Sequence, residues 1–225
     1  MKRVLLVVAT EAEATAFRMM PGINKSGDNY AYGEWEISPL ITGVGSVATS
    51  WAMTKWISAN TAPDLAINIG IAGSFREEIT IGDVVMPVTD CFADAGIEDG
   101  DNFVTLSEAG LTDPDRFPFK NGRLHSDNQL VSKYIRILAP VNAITVNTAT
   151  GSASTIEKLL KKYNADIETM EGAAFFYICM GENIPFLALR SVSNRVEPRN
   201  KDNWNIPLAL EKLSEKLKEV FLTAY

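Results

Sequence analysis

Histidine occurs once in the 225 residues, at His125, and cysteine twice, at Cys91 and Cys179. Ser-His-Asp or Cys-His chemistry would have to pass through His125, and no nucleophile partner stands near it in sequence. A zinc site or a disulfide framework needs more ligands than two distant cysteines, so both read as buried thiols. Positive charge is also scarce. Lys and Arg number 21 against 28 Asp and Glu, a net charge of −7, which excludes a general basic surface for nucleic acid. Long apolar runs are missing too. The run Val4 to Ala9 meets acid at Glu11, is too short to span a bilayer and lacks a small-residue cleavage site. A cytoplasmic protein with no membrane partner is expected. No repeat, low-complexity tract or linker divides the chain, and 46% hydrophobic residues suffice for one core, so residues 1–225 read as a single domain.

What is present is an alternation of strand-like and helix-like segments. Val4 to Ala9 is short and β-branched, and Thr10 is a good N-cap for a helix over 11–20. Strand character returns at 34–42, 65–71, 81–88, 143–148, in a short strand ending at Thr169, and at 185–191. Helical spacing fills 46–59, 126–139, 152–164, the stretch from Glu171, and 206–222. Residues 96–122, rich in glycine, aspartate and proline, read as an irregular excursion. The pattern predicts an α/β fold: a mixed, mostly parallel central sheet flanked by helices.

The chemically distinctive residues cluster at strand ends: Glu13, Gly43 and Gly45, Gly70 and Gly73, Thr150 and Gly151, Met170 and Glu171, Ser193 and Asn194. In a parallel sheet those ends share one edge, where ligands bind, so distant residues should converge on one pocket. Each has a plainer reading. Thr10-Glu-Ala-Glu13 fits a capping box, and Glu171 fits a first-turn acid facing the helix dipole. Gly43-Val-Gly45 is not a dinucleotide fingerprint, since Ala48 stands at the third glycine and no acid follows at the expected distance. Arg190, Arg195, Arg199 and Lys201 could hold an anionic group, or the last two could simply be solvated. Trp51 and Trp56 read as core or subunit-contact residues of a helix.

Six segments together resemble the nucleoside phosphorylase and nucleosidase superfamily: Ala9-Thr-Glu-Ala-Glu13, Thr42-Gly-Val-Gly-Ser46, Asn68-Ile-Gly-Ile-Ala-Gly73, Ile81-Gly-Asp83, Glu168-Thr-Met-Glu-Gly-Ala-Ala174 and Arg190-Ser-Val-Ser-Asn194. Their order and spacing follow the superfamily over nearly the whole chain. Within it the chain looks like the 5′-methylthioadenosine/S-adenosylhomocysteine nucleosidases, with one departure. Those enzymes carry an aspartate that can protonate adenine N7 where this chain has Asn194. An amide does not titrate but offers a donor and an acceptor, which suits a 6-oxopurine. Asp90-Cys-Phe-Ala-Asp-Ala-Gly-Ile-Glu98 and Asn194-Arg-Val-Glu-Pro-Arg199 are similar to futalosine hydrolases. That family removes hypoxanthine from futalosine, an inosine derivative with an aryl carboxylate on its 5′ side, on a route to menaquinone.

The resemblance implies that Glu13 activates water and Glu171 holds the ribose hydroxyls, while Asn194 binds the purine, supported by Ser193 and Arg190. It also implies that Met170 packs on the sugar and that Gly43, Ile71, Gly73, Thr150 and Arg195 line the substrate. Related enzymes stack an aromatic residue on the base after the fourth strand. Gly151-Ser-Ala-Ser-Thr155 has none, so Phe75 or Phe92 is expected to substitute. A purine nucleoside is the expected partner, with no metal or organic cofactor, and a homodimer or larger homo-oligomer is implied. The rival readings are a methylthioadenosine-type nucleosidase, a nucleoside-binding sensor, and a phosphorylase with Gly43-Val-Gly45 and Arg76 as its anion site.

Overall fold

The structure, a computed structural model, describes residues 1–223 other than 101, 127 and 199, and leaves out the side chains of Asn128 and Lys201. The chain begins with β1 (Lys2–Val8) and α1 (Glu11–Arg18), then β2 (Asn24–Ser26), β3 (Asn29–Tyr32), β4 (Trp35–Ile41) and α2 (Ser46–Ala59). Next come β5 (Leu65–Ser74), β6 (Val84–Asp90), β7 (Gly96–Asp99), β8 (Asn102–Thr105), β9 (Leu124–His125) and α3 (Asn128–Tyr134). The last third holds β10 (Ala139–Thr145), α4 (Ala153–Tyr163), β11 (Ile167–Thr169), α5 (Gly172–Gly181), β12 (Phe186–Arg195) and α6 (Ile206–Thr223).

The strand β1 shows how sequence becomes layers. Its residues alternate between two cores, because successive strand side chains point to opposite faces. Val4, Leu6 and Val8 join Phe17 of α1 and Leu213, Leu217 and Phe221 of α6. Leu5 and Val7 join Met53 of α2 and Phe175 and Phe176 of α5. Both faces are covered, so β1 is apolar throughout. Leucines and aromatics at a spacing of four, Leu213, Leu217 and Phe221, give α6 the one buried stripe a covering helix needs. α5 is buried along its Gly172-Ala-Ala-Phe-Phe176 opening and at Cys179, while Tyr177 is exposed.

The main sheet runs β11-β10-β6-β12-β5-β1-β4-β3-β2, with β9 beside β6. Pairings of β1 with β4 and β5, β5 with β12, and β10 with β6 and β11 are parallel; β12–β6, β3–β4 and β2–β3 are antiparallel. β11 also pairs antiparallel with the end of β5, Glu168 opposite Gly73, so β5, β12, β6, β10 and β11 close into a ring. The expected mixed, mostly parallel sheet is therefore present.

Four expectations need correction. The helix expected over 126–139 is short, Asn128–Tyr134, because the chain turns to bury Leu138 and Pro140 already belongs to β10. β12 continues past Ser191 to Arg195, with a register shift between Val192 and Asn194. The segment before β4 holds the small hairpin β2–β3, and the excursion holds the separate hairpin β7–β8. Phe75 and Phe92 pack against apolar clusters, and Phe92 lines a separate cleft with Tyr163 and Tyr177.

Candidate active site

A cavity of about 310 Å³ opens at the ends of β1, β5, β11 and β12. Glu13, Ile71, Gly73, Thr150, Met170, Glu171, Ser193, Asn194 and Arg195 all line it. These positions are far apart in sequence, and the sheet edge brings them together. Gly43 and Arg190 do not line it. Gly43 turns the chain at a φ of +86°, where glycine is favoured, and its N–H reaches the Ala9 carbonyl. Arg199 lies outside the described residues, as does the side chain of Lys201.

Glu13 uses both carboxylate oxygens. Oε2 accepts from the Thr10 N–H at 3.1 Å and the Thr10 hydroxyl at 3.0 Å, completing the capping box of α1. Oε1 accepts from the Ile71 N–H at 3.1 Å. Such closeness to β5 depends on Gly70: a β-carbon there would stand 2.7 Å from Oε1. The cap therefore fixes a carboxylate that also lines the cavity.

Glu171 is the N-cap residue of α5, with Oε1 accepting from the Gly45 N–H at 2.9 Å. Burial pushes its carboxyl above the usual range and Glu13 adds to this, while the Gly45 bond and the Arg190 charge oppose it. Arg190 supplies that charge from below. It is fully buried, donating to the Asn68 and Leu189 carbonyls and, through Nη2, to Asn68 Oδ1. Glu171, Glu13 and Asp90 all act on it electrostatically, so it is a shared counter-ion rather than a substrate contact.

Ser193 donates to Asn194 Oδ1 at 2.8 Å, and Asn194 Nδ2 donates to the Arg195 carbonyl at 2.8 Å. One amide hydrogen and one oxygen lone pair remain for a ligand. The Arg195 guanidinium is spent on the carbonyls of Arg76 and Glu77. Arg76 in turn pairs with Asp166 at 2.8 Å and donates to Asn164.

Sequence reasoning missed Glu168, Glu197, Asn200 and Trp204, all on the cavity wall. Among the described residues Trp204 is the only aromatic side chain there. No periodic signal marks it, because it precedes α6 in a polar stretch. A second buried acid lies behind the site. Asp90 Oδ1 accepts from the Cys91 N–H and the Thr145 hydroxyl, while Oδ2 has no partner and lies against Gly172. Thr145 Oγ1 also accepts from the Ala173 N–H at 2.7 Å, so this cluster fixes the start of α5 beside Glu171.

The phosphorylase superfamily model matches residues 3–224. A futalosine hydrolase from Acidothermus cellulolyticus is 33% identical over 77% of this chain and 70% of its own length. One from Streptomyces coelicolor is 28% identical over 80% and 76%. A 5′-methylthioadenosine/S-adenosylhomocysteine nucleosidase from Buchnera aphidicola is 28% identical over 81% and 77%. Among solved structures, the native futalosine hydrolase of Helicobacter pylori superposes with a TM-score of 0.77, at 17% identity over 99% of this chain and 96% of that one. The chain belongs to the phosphorylase superfamily and, within it, to the N-ribosyl hydrolases of the futalosine hydrolase family.

Proposed function

We propose that the protein hydrolyses the N-glycosidic bond of a 6-oxopurine nucleoside, futalosine, to release hypoxanthine. The observation that carries the reading is the presence of Glu13, Glu171 and Asn194 on the wall of one cavity. Breaking this bond builds positive charge on the ribosyl ring and leaves an electron pair on the base. Glu13 takes a proton from the attacking water, and Glu171 accepts hydrogen bonds from the ribose hydroxyls and stabilises the ring charge. Met170 packs on the sugar. Asn194 donates to the purine and accepts from N1–H, and Ser193 fixes its amide. Trp204 supplies an aromatic face where Phe75 and Phe92 do not.

Hydrolysis is favoured over phosphorolysis by the state of the expected anion site. The Gly45 N–H is taken by Glu171, and the Arg76 guanidinium by Asp166 and Asn164. The reading extends to a cytoplasmic enzyme of one domain, residues 1–225, on a route to menaquinone. It also holds the enzyme to be a homodimer or larger. Val47 and Trp51 on α2 are 81% and 65% exposed beside Val44 at the cavity wall, an apolar face suited to a second subunit.

The Buchnera relative favours a second reading, a methylthioadenosine-type nucleosidase, against which Asn194 stands. Turnover of futalosine and 5′-methylthioadenosine by wild type and Asn194→Asp separates the two. Futalosine should be preferred by wild type, with the preference moving at least tenfold toward the adenine nucleoside in the variant. An unchanged ratio would remove Asn194 from base selection.

A further inference from the structure

A departing purine leaves with an electron pair, and the amide of Asn194 has no proton to surrender to it. A titratable carboxyl group stands beside it on the cavity wall. Glu168 on β11 and Asn194 on β12 are both paired with Gly73 of β5, one on each side of it. A β-carbon on Gly73 would lie 3.2 Å from Asn194 Nδ2 and 3.5 Å from Glu168 Cγ, so the two side chains flank a bare strand position. Glu168 is only 7% exposed and lines the cavity. Oε1 accepts from the Thr150 N–H at 3.0 Å, while Oε2 is buried without a hydrogen-bond partner. A buried carboxylate oxygen with no donor is costly, and such orphans in a binding cavity call for a missing partner.

We propose that Glu168, beside Asn194, is the acid that hydrogen-bonds the leaving purine and protonates its N7. The inference rests on the hydrolytic reading above. As the C1′–N9 bond breaks, its electron pair passes to the purine and the Glu168 proton goes to N7. Water forms the new C1′–O bond and gives a proton to Glu13; exchange with solvent returns one proton to Glu168 and removes one from Glu13. Rotation about the Cγ–Cδ bond, a soft torsion, presents either carboxyl oxygen to the base. Burial holds this carboxyl above the usual range, opposed by the Thr150 bonds, and so favours the protonated form. The charged groups that share the cavity are Glu13 on α1, Glu171 at the head of α5, Arg195 on β12 and Glu197 after it. β5, β10 and residues 146–152 carry no titratable side chain.

The test is the pH dependence of futalosine hydrolysis in wild type and Glu168→Gln, with hypoxanthine release as the readout. Loss of the acid should lower kcat by about a hundredfold or more, leave KM within about threefold, and abolish the fall in kcat at high pH. A kcat within threefold of wild type, or a reduced kcat that keeps the wild-type fall at high pH, overturns the role. If the variant does not fold, wild type supplies the second measurement. The 7-deaza analogue of futalosine, which has no N7 lone pair to take the proton, should be cleaved at least about a hundredfold more slowly, and cleavage within threefold of futalosine would overturn the proposal. Wild type that frees no purine from futalosine overturns the hydrolytic reading itself, an outcome distinct from any of these.

Discussion

Glu13 holds a helix cap with one oxygen and reaches the neighbouring strand with the other. Glu13→Gln keeps the size of the side chain and one of its two acceptor oxygens but cannot take a proton from water. It should lower kcat at least a hundredfold while the melting temperature stays within a few degrees of wild type. Glu171→Gln should do likewise, since a neutral amide stabilises the ribosyl cation poorly. Near-normal turnover in either variant would remove that residue from the scheme. Asp90 predicts something about stability instead. Burial raises its carboxyl to about 7, against the Thr145 and Cys91 hydrogen bonds and the charges of Arg190 and Arg123. Between roughly pH 4 and 7 the folded protein keeps a proton that the unfolded chain has released, so stability falls as pH rises through this window. The loss is on the order of 4 kcal/mol, complete above the folded value. Asp90→Asn carries no such proton. Its melting temperature should gain on wild type as pH is raised from 4 to 8, and parallel curves would refute the buried, proton-linked Asp90.

At the scale of elements, β5 and β12 carry the site because both lie inside the closed ring and both end at the cavity. Gly70→Ala tests their closeness to α1. The added methyl would sit 2.7 Å from Glu13 Oε1 and push that carboxylate off the Ile71 N–H. The expected result is a loss of kcat of about tenfold or more with little change in KM, read by steady-state kinetics; an unaffected kcat would mean that Glu13 tolerates displacement. The sequence disclosed these elements unevenly. β1 was legible because burial on both faces makes it wholly apolar, and α1 because Thr10 and Glu13 have cap spacing. The end of β12 was not, because Ser193 and Asn194 read as turn residues although the cavity, not solvent, is what they face. β2 and β7 left no apolar alternation, being exposed throughout, and their half-buried partners β3 and β8 are only four residues long. Glu168 stands within the Glu168-Thr-Met-Glu-Gly-Ala-Ala174 segment with no linear mark of its own, since only its pairing with Gly73 sets it beside Asn194. Arg190 was expected at the substrate, but no linear pattern distinguishes a cation in a cavity wall from one beneath it.

For the whole molecule, the ring of β5, β12, β6, β10 and β11 is what turns positions from 13 to 194 into neighbours. The covering helices differ in duty. α6 supplies Ile206 and Leu210 to the cavity and a core stripe to the sheet, whereas α2 buries Met53 and leaves Trp51 outside. Among the described residues, no helix is long and apolar enough to cross a membrane. On the proposed function this assembly directs water, and not phosphate, to the sugar of a purine nucleoside. Futalosine incubated with the protein and phosphate in water enriched in the heavy oxygen isotope distinguishes the two. Free hypoxanthine with the isotope on the C1′ hydroxyl of the released sugar is the predicted result; a sugar 1-phosphate, or no free base, would contradict it.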